Sequence, residues 1–236
     1  MRILTLFILL SFPLFLNFSY SQSTTLNPQS SILNSQSSIL NPQSPNNLWE
    51  VEAESTDTHL EIYEDSVEIW TSAGLTLWWR QPMSVPFTLE YEAMVVLRDS
   101  TDRLSDLNCF WLATDPTVPD GNVFTHIPER KGIFRNASTL LLYYLGYGGN
   151  YNTTTRFRRY NGQPQPPLLQ EYTDSAHLLR PNHWYRIRIE ATSSHTRYYI
   201  DEELLIDYTD PRPLLRGWFG FRTTWSHCKI RGLRIR

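Results

Sequence analysis

Hydrophobic and polar positions alternate in short runs along most of this chain. The clearest case spans Trp184 to Tyr208. There Tyr185, Ile187 and Ile189 alternate with Arg186, Arg188 and Glu190, the period of a strand buried on one face. Tyr198 and Ile200 follow, then a charged turn at Asp201-Glu202-Glu203, then Leu204 and Ile206. That is a hairpin with an apolar face on both arms. The same pattern predicts strands at Trp49–Ala53, Val67–Thr71, Leu75–Gln81, Phe87–Leu97, Leu107–Thr114, Leu140–Gly146, Thr154–Asn161, Gly217–Thr224 and Lys229–Arg236. No amphipathic helix of useful length interrupts them. The prediction is an all-β fold, a two-sheet antiparallel jelly-roll sandwich.

The first 47 residues follow another pattern. After Arg2 an apolar run extends from Ile3 to Phe18, and Ser19 and Ser21 stand three and one positions before the cleavage point at Gln22. This predicts a signal peptide over residues 1–21 and an exported protein, periplasmic or extracellular. Pro13 and the shortness of the run argue against a membrane span. Residues 22–47 repeat with a period of seven: Leu26-Asn27-Pro28-Gln29-Ser30, Leu33-Asn34-Ser35-Gln36-Ser37, Leu40-Asn41-Pro42-Gln43-Ser44. Pro28, Pro42 and the absence of charge rule out a coiled coil and predict a low-complexity, disordered linker. The folded domain is then residues 48–236.

Composition narrows the chemistry. The 236 residues include 8 Trp, 13 Tyr and 11 Phe, and only 19% are charged, which suits an aromatic-rich β domain rather than a helical bundle. A net charge of −3 gives no electrostatic basis for binding nucleic acid. Two cysteines, Cys109 and Cys228, exclude a disulfide scaffold and a four-thiolate metal site. They are either bridged or buried as free thiols. No cofactor is expected. Asp99, Asp102 and Asp106 offer oxygen ligands for Ca²⁺, although their spacing matches no EF-hand and turn-forming Asp explains them as well.

Two sets of motifs carry a resemblance. The hairpin Tyr198-Tyr199-Ile200-Asp201 to Leu204, then Gly217-Trp218-Phe219-Gly220-Phe221-Arg222 and Ile230–Ile235, look like the C-terminal part of concanavalin A-like jelly rolls. These include laminin G-like lectin domains and jelly-roll glycosidases and lyases. Ser105–Trp111, Asn152–Tyr160 and Arg222–His227 resemble a group of exported bacterial domains similar to the YesU-like proteins, which accompany pectin and rhamnogalacturonan degradation. The resemblance implies a carbohydrate-active protein. It names no activity to transfer.

Candidate site residues follow from chemistry. The strand Thr154–Asn161 places Arg156, Arg158 and Tyr160 on one face and Thr155, Phe157 and Arg159 on the other. Arginine forks suit the carboxylate of a uronate, so the expected partner is an oligo- or polysaccharide, anionic in character. Asn108, Trp111, Arg156, Arg158 and Arg222 are the candidate substrate-binding residues. Trp111 is selected as a ring on which a sugar would pack. A uronate lyase needs a base and an acid, for which Tyr160, His227 and Tyr144 are the catalytic candidates, with His126 in reserve. A retaining glycosidase needs paired carboxylates. Glu50, Glu52 and Glu54 have the spacing, but read as an exposed edge, as do Glu90 and Glu92. An enzyme, lyase ahead of hydrolase, is preferred to the alternative of a non-catalytic, lectin-like binding module. Binding modules are usually appended to a catalytic domain, and none is expected in this chain, while a purely structural scaffold would need no Arg-lined groove.

Overall fold

A computed structural model of the chain describes Ser31–Leu33 and residues 48–236. The segment 1–21 expected to be a signal peptide, and most of the expected linker, lie outside the described residues. Fourteen strands follow in order: β1 (Ser31–Leu33), β2 (Trp49–Ala53), β3 (Thr58–Ile62), β4 (Ser66–Trp79), β5 (Met83–Ser84), β6 (Phe87–Val95), β7 (Leu107–Thr114), β8 (Leu141–Gly148), β9 (Thr154–Asn161), β10 (Leu168–Tyr172), β11 (Tyr185–Ala191), β12 (His195–Ile200), β13 (Glu203–Thr209) and β14 (Arg216–Ile235). One helical turn, α1 (Ile127–Arg130), sits in the long connection between β7 and β8. Among the described residues no helix is long and apolar enough to cross a membrane.

The architecture turns on two long strands. The first half of β14 pairs with the end of β4 on one side and with β7 on the other, whereas its second half pairs with the start of β4 and with β6. Each of these strands therefore belongs to both layers. The first layer runs β10-β9-β8-β7-β14-β4-β2, and the second runs β13-β12-β11-β6-β14-β4-β3. All of these pairings are antiparallel. β1 adds antiparallel to the outside of β3, with Ile32 opposite Glu61. The pattern of the sequence predicted two strands for each of the long ones. The break it registered is the bend, where Trp225 stands opposite both Ser72 and Ala73 with φ at 42°. Such bulges are how a strand turns a sandwich corner.

The two layers face each other across an aromatic core. Trp111 of β7 stacks on Phe157 of β9 at 5.9 Å and meets Tyr198 of β12 at the same separation. Its indole N–H donates to Thr196 Oγ1 across the gap at 3.0 Å. Tyr147 and Tyr185 make a second edge-to-face contact between layers. Trp111 has no exposed surface. It cannot carry a sugar, contrary to the expectation, because Trp111 points inward with Leu107 and Cys109 of the same strand. The sandwich places Trp111 as a central core residue instead.

Both cysteines are buried and free, and burial pushes each thiol up to about 12. They stay protonated, hence unreactive, at mildly alkaline pH. Thiol-reagent titration of the native protein is expected to label neither, and in denaturant to label both. Trp111→Ala is expected to cost roughly 3–5 kcal/mol in urea unfolding, the usual penalty for emptying a large core site.

Candidate functional site

The outward face of the first layer collects the polar residues that its inward face excludes. Cross-strand registers align Glu171, Arg156, Gly146, Asn108, Arg222, Thr76 and Glu52 in one row across seven strands. The next row holds Arg158, Tyr144, Phe110, Gly220 and Trp78. Glycine is needed in both. A Cβ on Gly146 would strike the hydroxyl end of Tyr144, and one on Gly220 would strike the Trp78 ring. Tyr144 therefore leans over Gly146, which brings its hydroxyl into the row between Arg156 and Asn108.

A connection of 26 residues, 115–140, folds over part of this face. It buries Val123, Ala137 and Leu140 in a second, smaller core with Trp78, Phe110, Leu142, Tyr144, Tyr160 and Trp218. Glu52 pins it there. The Glu52 carboxylate, 3% exposed, accepts from the Trp78 indole at 2.9 Å, from Arg130 Nη2 of α1 at 2.8 Å, and from the Gly132 N–H at 3.3 Å. The Gly132 carbonyl then accepts from Arg222 Nη1. Phe134, beside it, lies under the Arg222 guanidinium at 5.3 Å and against Tyr144 at 5.3 Å. The connection thus forms one wall of the polar row.

Electrostatically the floor of this row is unusual. Arg222 is 3% exposed, and among the described residues it has no carboxylate at ion-pairing distance. Burial lowers its proton affinity. Asn108 donates to Asp106 Oδ1, while its own buried Oδ1 has no partner among the described residues. Among the described residues the Arg158 guanidinium hydrogen-bonds the Pro166 carbonyl alone, at 2.8 Å. Burial pushes the Tyr144 hydroxyl well above the ordinary tyrosine range, and pushes that of Tyr160 up to about 12. Both are therefore proton donors at neutral pH. The row thus combines hydrogen-bond donors and a buried guanidinium with the carboxylates of Glu52, Glu54 and Asp106, which act on Arg222 from beyond ion-pairing distance.

Residues 69–233 match the model of a domain of unknown function, DUF6250. The chain belongs to the DUF6250 family. No curated protein matches it. Its fold is shared with solved structures at low identity. A protein of unknown function with a galectin-like fold from Bacillus subtilis superposes with a TM-score of 0.62 at 14% identity, over 82% of this chain and 91% of that one. The carbohydrate-binding module CBM66 from Bacillus subtilis gives 0.54 at 13%, over 80% and 95%. A legume lectin-like domain from Entamoeba histolytica gives 0.54 at 10%, over 84% and 93%. At such identities the likeness is one of fold, and it agrees with the jelly roll predicted from the sequence.

In the DUF6250 domain the sequence-selected residues separate into two groups. Asn108, Tyr144, Arg156, Arg158, Tyr160 and Arg222 share the outward face of the first layer. His227 does not join them. It lies on the outward face of the second layer, 2.7 Å from Glu68 Oε1 and stacked on Trp70 at 4.7 Å. The bend of β14 between Arg222 and His227 carries the chain from one layer to the other, so five residues of sequence separate two faces. His126 lies in the covering connection, 2.9 Å from Asp115. Arg156 is satisfied by its cross-strand neighbour Glu171. Asp99, Asp102 and Asp106 are engaged by Thr101, Arg98 and Arg103 respectively. Among the described residues no group of three or more His, Cys, Asp or Glu could hold a metal ion.

Glu52 was expected on an exposed edge. β2 is indeed an edge strand, but the connection that covers it comes from 78 residues further along the chain. Alternation alone showed only that Glu50, Glu52 and Glu54 point the same way. Glu52→Gln leaves the buried Arg130 charge with only the longer Asp115 contact, at 3.9 Å, and is expected to destabilise the domain by roughly 3 kcal/mol in urea unfolding. Glu52→Gln with Arg130→Met is expected to recover much of that loss.

Proposed function

We propose that this domain is an exported carbohydrate-binding module that holds an acidic oligosaccharide on the outward face of its first layer. The observation that carries the reading is Arg222. A guanidinium this buried is ordinarily paired with a carboxylate, because an unpaired buried charge is costly. Here its hydrogen bonds go to hydroxyls and a carbonyl, the carboxylates of Glu52, Asp106 and Glu54 act on it from beyond ion-pairing distance, and Asn108 Oδ1 of the adjacent strand has no partner among the described residues. A uronate carboxylate would supply the direct partner, with Arg158 and the two tyrosine hydroxyls as further donors. Export rests on the apolar run from Ile3 to Phe18 and the small residues before Gln22.

Binding is preferred to catalysis, which reverses the order drawn from the sequence. β-Elimination needs a base whose pKa lies near the working pH. Tyr144 and Tyr160 are held protonated by burial, and His227 belongs to the other layer. Hydrolysis needs two free carboxylates, and Glu52 is engaged three times over. The resemblance to YesU-like proteins makes pectic fragments the first ligands to try, and the lectin-like and CBM66 folds are compatible with that use.

The test is affinity electrophoresis through gels containing polygalacturonate or a neutral galactan, with reducing ends and unsaturated-uronate absorbance followed in parallel. Retardation by polygalacturonate without either product signal is expected. New reducing ends would overturn the non-catalytic reading, and absence of retardation would overturn the acidic ligand. Arg158→Ala is expected to weaken binding roughly tenfold or more, the worth of one charge-assisted hydrogen bond, with the melting temperature nearly unchanged.

A further inference from the structure

We infer that Trp225 and Tyr151 form a sugar-stacking rim at one end of the polar row, a subsite for a second pyranose ring of the same oligosaccharide. This rests on the binding reading above. Trp225 is 51% exposed and Tyr151 67%. The core needs neither ring. Both also stand in left-handed backbone, with φ of 42° and 57°, where aromatic residues are rare and glycine or asparagine would serve. The neighbours of Tyr151 make the point: Asn150 and Asn152 share its left-handed conformation, and Asn152 anchors the turn through both atoms of its amide to Leu179. The bend of β14 requires the backbone shape at Trp225, but no interior contact explains an indole there.

One arginine ties the two rings to the floor of the row. The Arg103 guanidinium lies 4.6 Å from the centre of the Tyr151 ring. Its Nη1 donates to the Thr224 carbonyl, next to Trp225, and to Asp106 Oδ2, each at 2.6 Å. Asp106 in turn accepts from Asn108, and Thr224 Oγ1 from Arg222 Nη2. The rim is thus continuous with the residues that would hold the carboxylate. Two buried polar atoms along this path, Arg103 Nε and Asn108 Oδ1, have no partner among the described residues, and sugar hydroxyls can both donate and accept. The C–H face of a pyranose packs on an aromatic ring while its equatorial hydroxyls reach the polar groups around it. One ring held by charge at Arg222 and Arg158, and a second held by stacking at the rim, give a site that reads oligomers rather than single sugars.

The experiment compares galacturonate, a single ring, with tetragalacturonate by isothermal titration calorimetry, on the full chain and on Trp225→Ala, Tyr151→Ala and, as a control at another exposed apolar residue, Leu215→Ala. The wild type and Leu215→Ala are expected to bind the tetramer more tightly than the single sugar. Trp225→Ala and Tyr151→Ala are expected to bind the tetramer roughly tenfold more weakly than the wild type, the worth of one aromatic contact, and the single sugar equally well. Trp225→Gly is expected to raise the melting temperature while losing the same affinity, since it relieves the backbone and removes the ring. Tetramer binding unchanged in Trp225→Ala and Tyr151→Ala would overturn the rim and leave the acidic-ligand reading standing. A wild type that binds neither the single sugar nor the tetramer would overturn both.

Discussion

The Glu52 carboxylate is buried on an edge strand, where an isolated charge would not survive burial. It persists because three donors converge on it: the Trp78 indole from β4, the Arg130 guanidinium from α1 and the Gly132 backbone N–H. A buried pair of this kind adds little net stability over an apolar equivalent, but it is strict about geometry. It accepts one placement of the connection between β7 and β8. That placement sets the Gly132 carbonyl against Arg222 and Phe134 against Tyr144. The wall of the candidate site is therefore a consequence of one satisfied carboxylate.

The second constraint is the pair of long strands. Because β4 and β14 each serve both layers, the bend in them decides which polar residues end up together. Before the bend, β14 presents Arg222 to Asn108 and Thr76. After it, the same strand presents His227 to Glu68 and Trp70. The second outward face is a lattice of ion pairs, Glu68 with Lys229, Glu92 with Arg231 and Arg197 with Asp207 among them. Its charges answer one another. On the first outward face Arg222 and Arg158 have no direct carboxylate partner among the described residues, and this asymmetry between the two faces supports the proposed ligand site.

Proton affinity then limits the chemistry. Burial against Phe110 and Phe134 keeps Tyr144 and Tyr160 protonated. The same burial denies Arg222 its solvent. In the proposed reading, a site of donors around a cation with no direct carboxylate partner suits recognition of an anion better than abstraction of a proton.

The alternation in the chain determined the class of fold and most strand positions: Trp49–Ala53, Leu107–Thr114 and Thr154–Asn161 were legible to the residue. Each residue's face on its strand was legible too, since alternate side chains on a strand must oppose. That was enough to separate Arg156, Arg158 and Tyr160 from Phe157. It missed β3, where Thr58, Leu60 and Ile62 alternate with His59 and Glu61 over only five residues, and β10, which follows a proline-rich stretch. Which of the two faces of a strand is the interior is a property of the second layer, and the sequence carries no local mark of it. Trp111 and Trp225 are equally apolar, yet one fills the centre of the core and the other stands in solvent. Glu52 became buried, and His227 parted from Arg222, through contacts between segments far apart in the chain or through a bend between layers. Short-range pattern encodes direction along and across one strand. Only the tertiary structure decided which strands, and therefore which charges, would share a face.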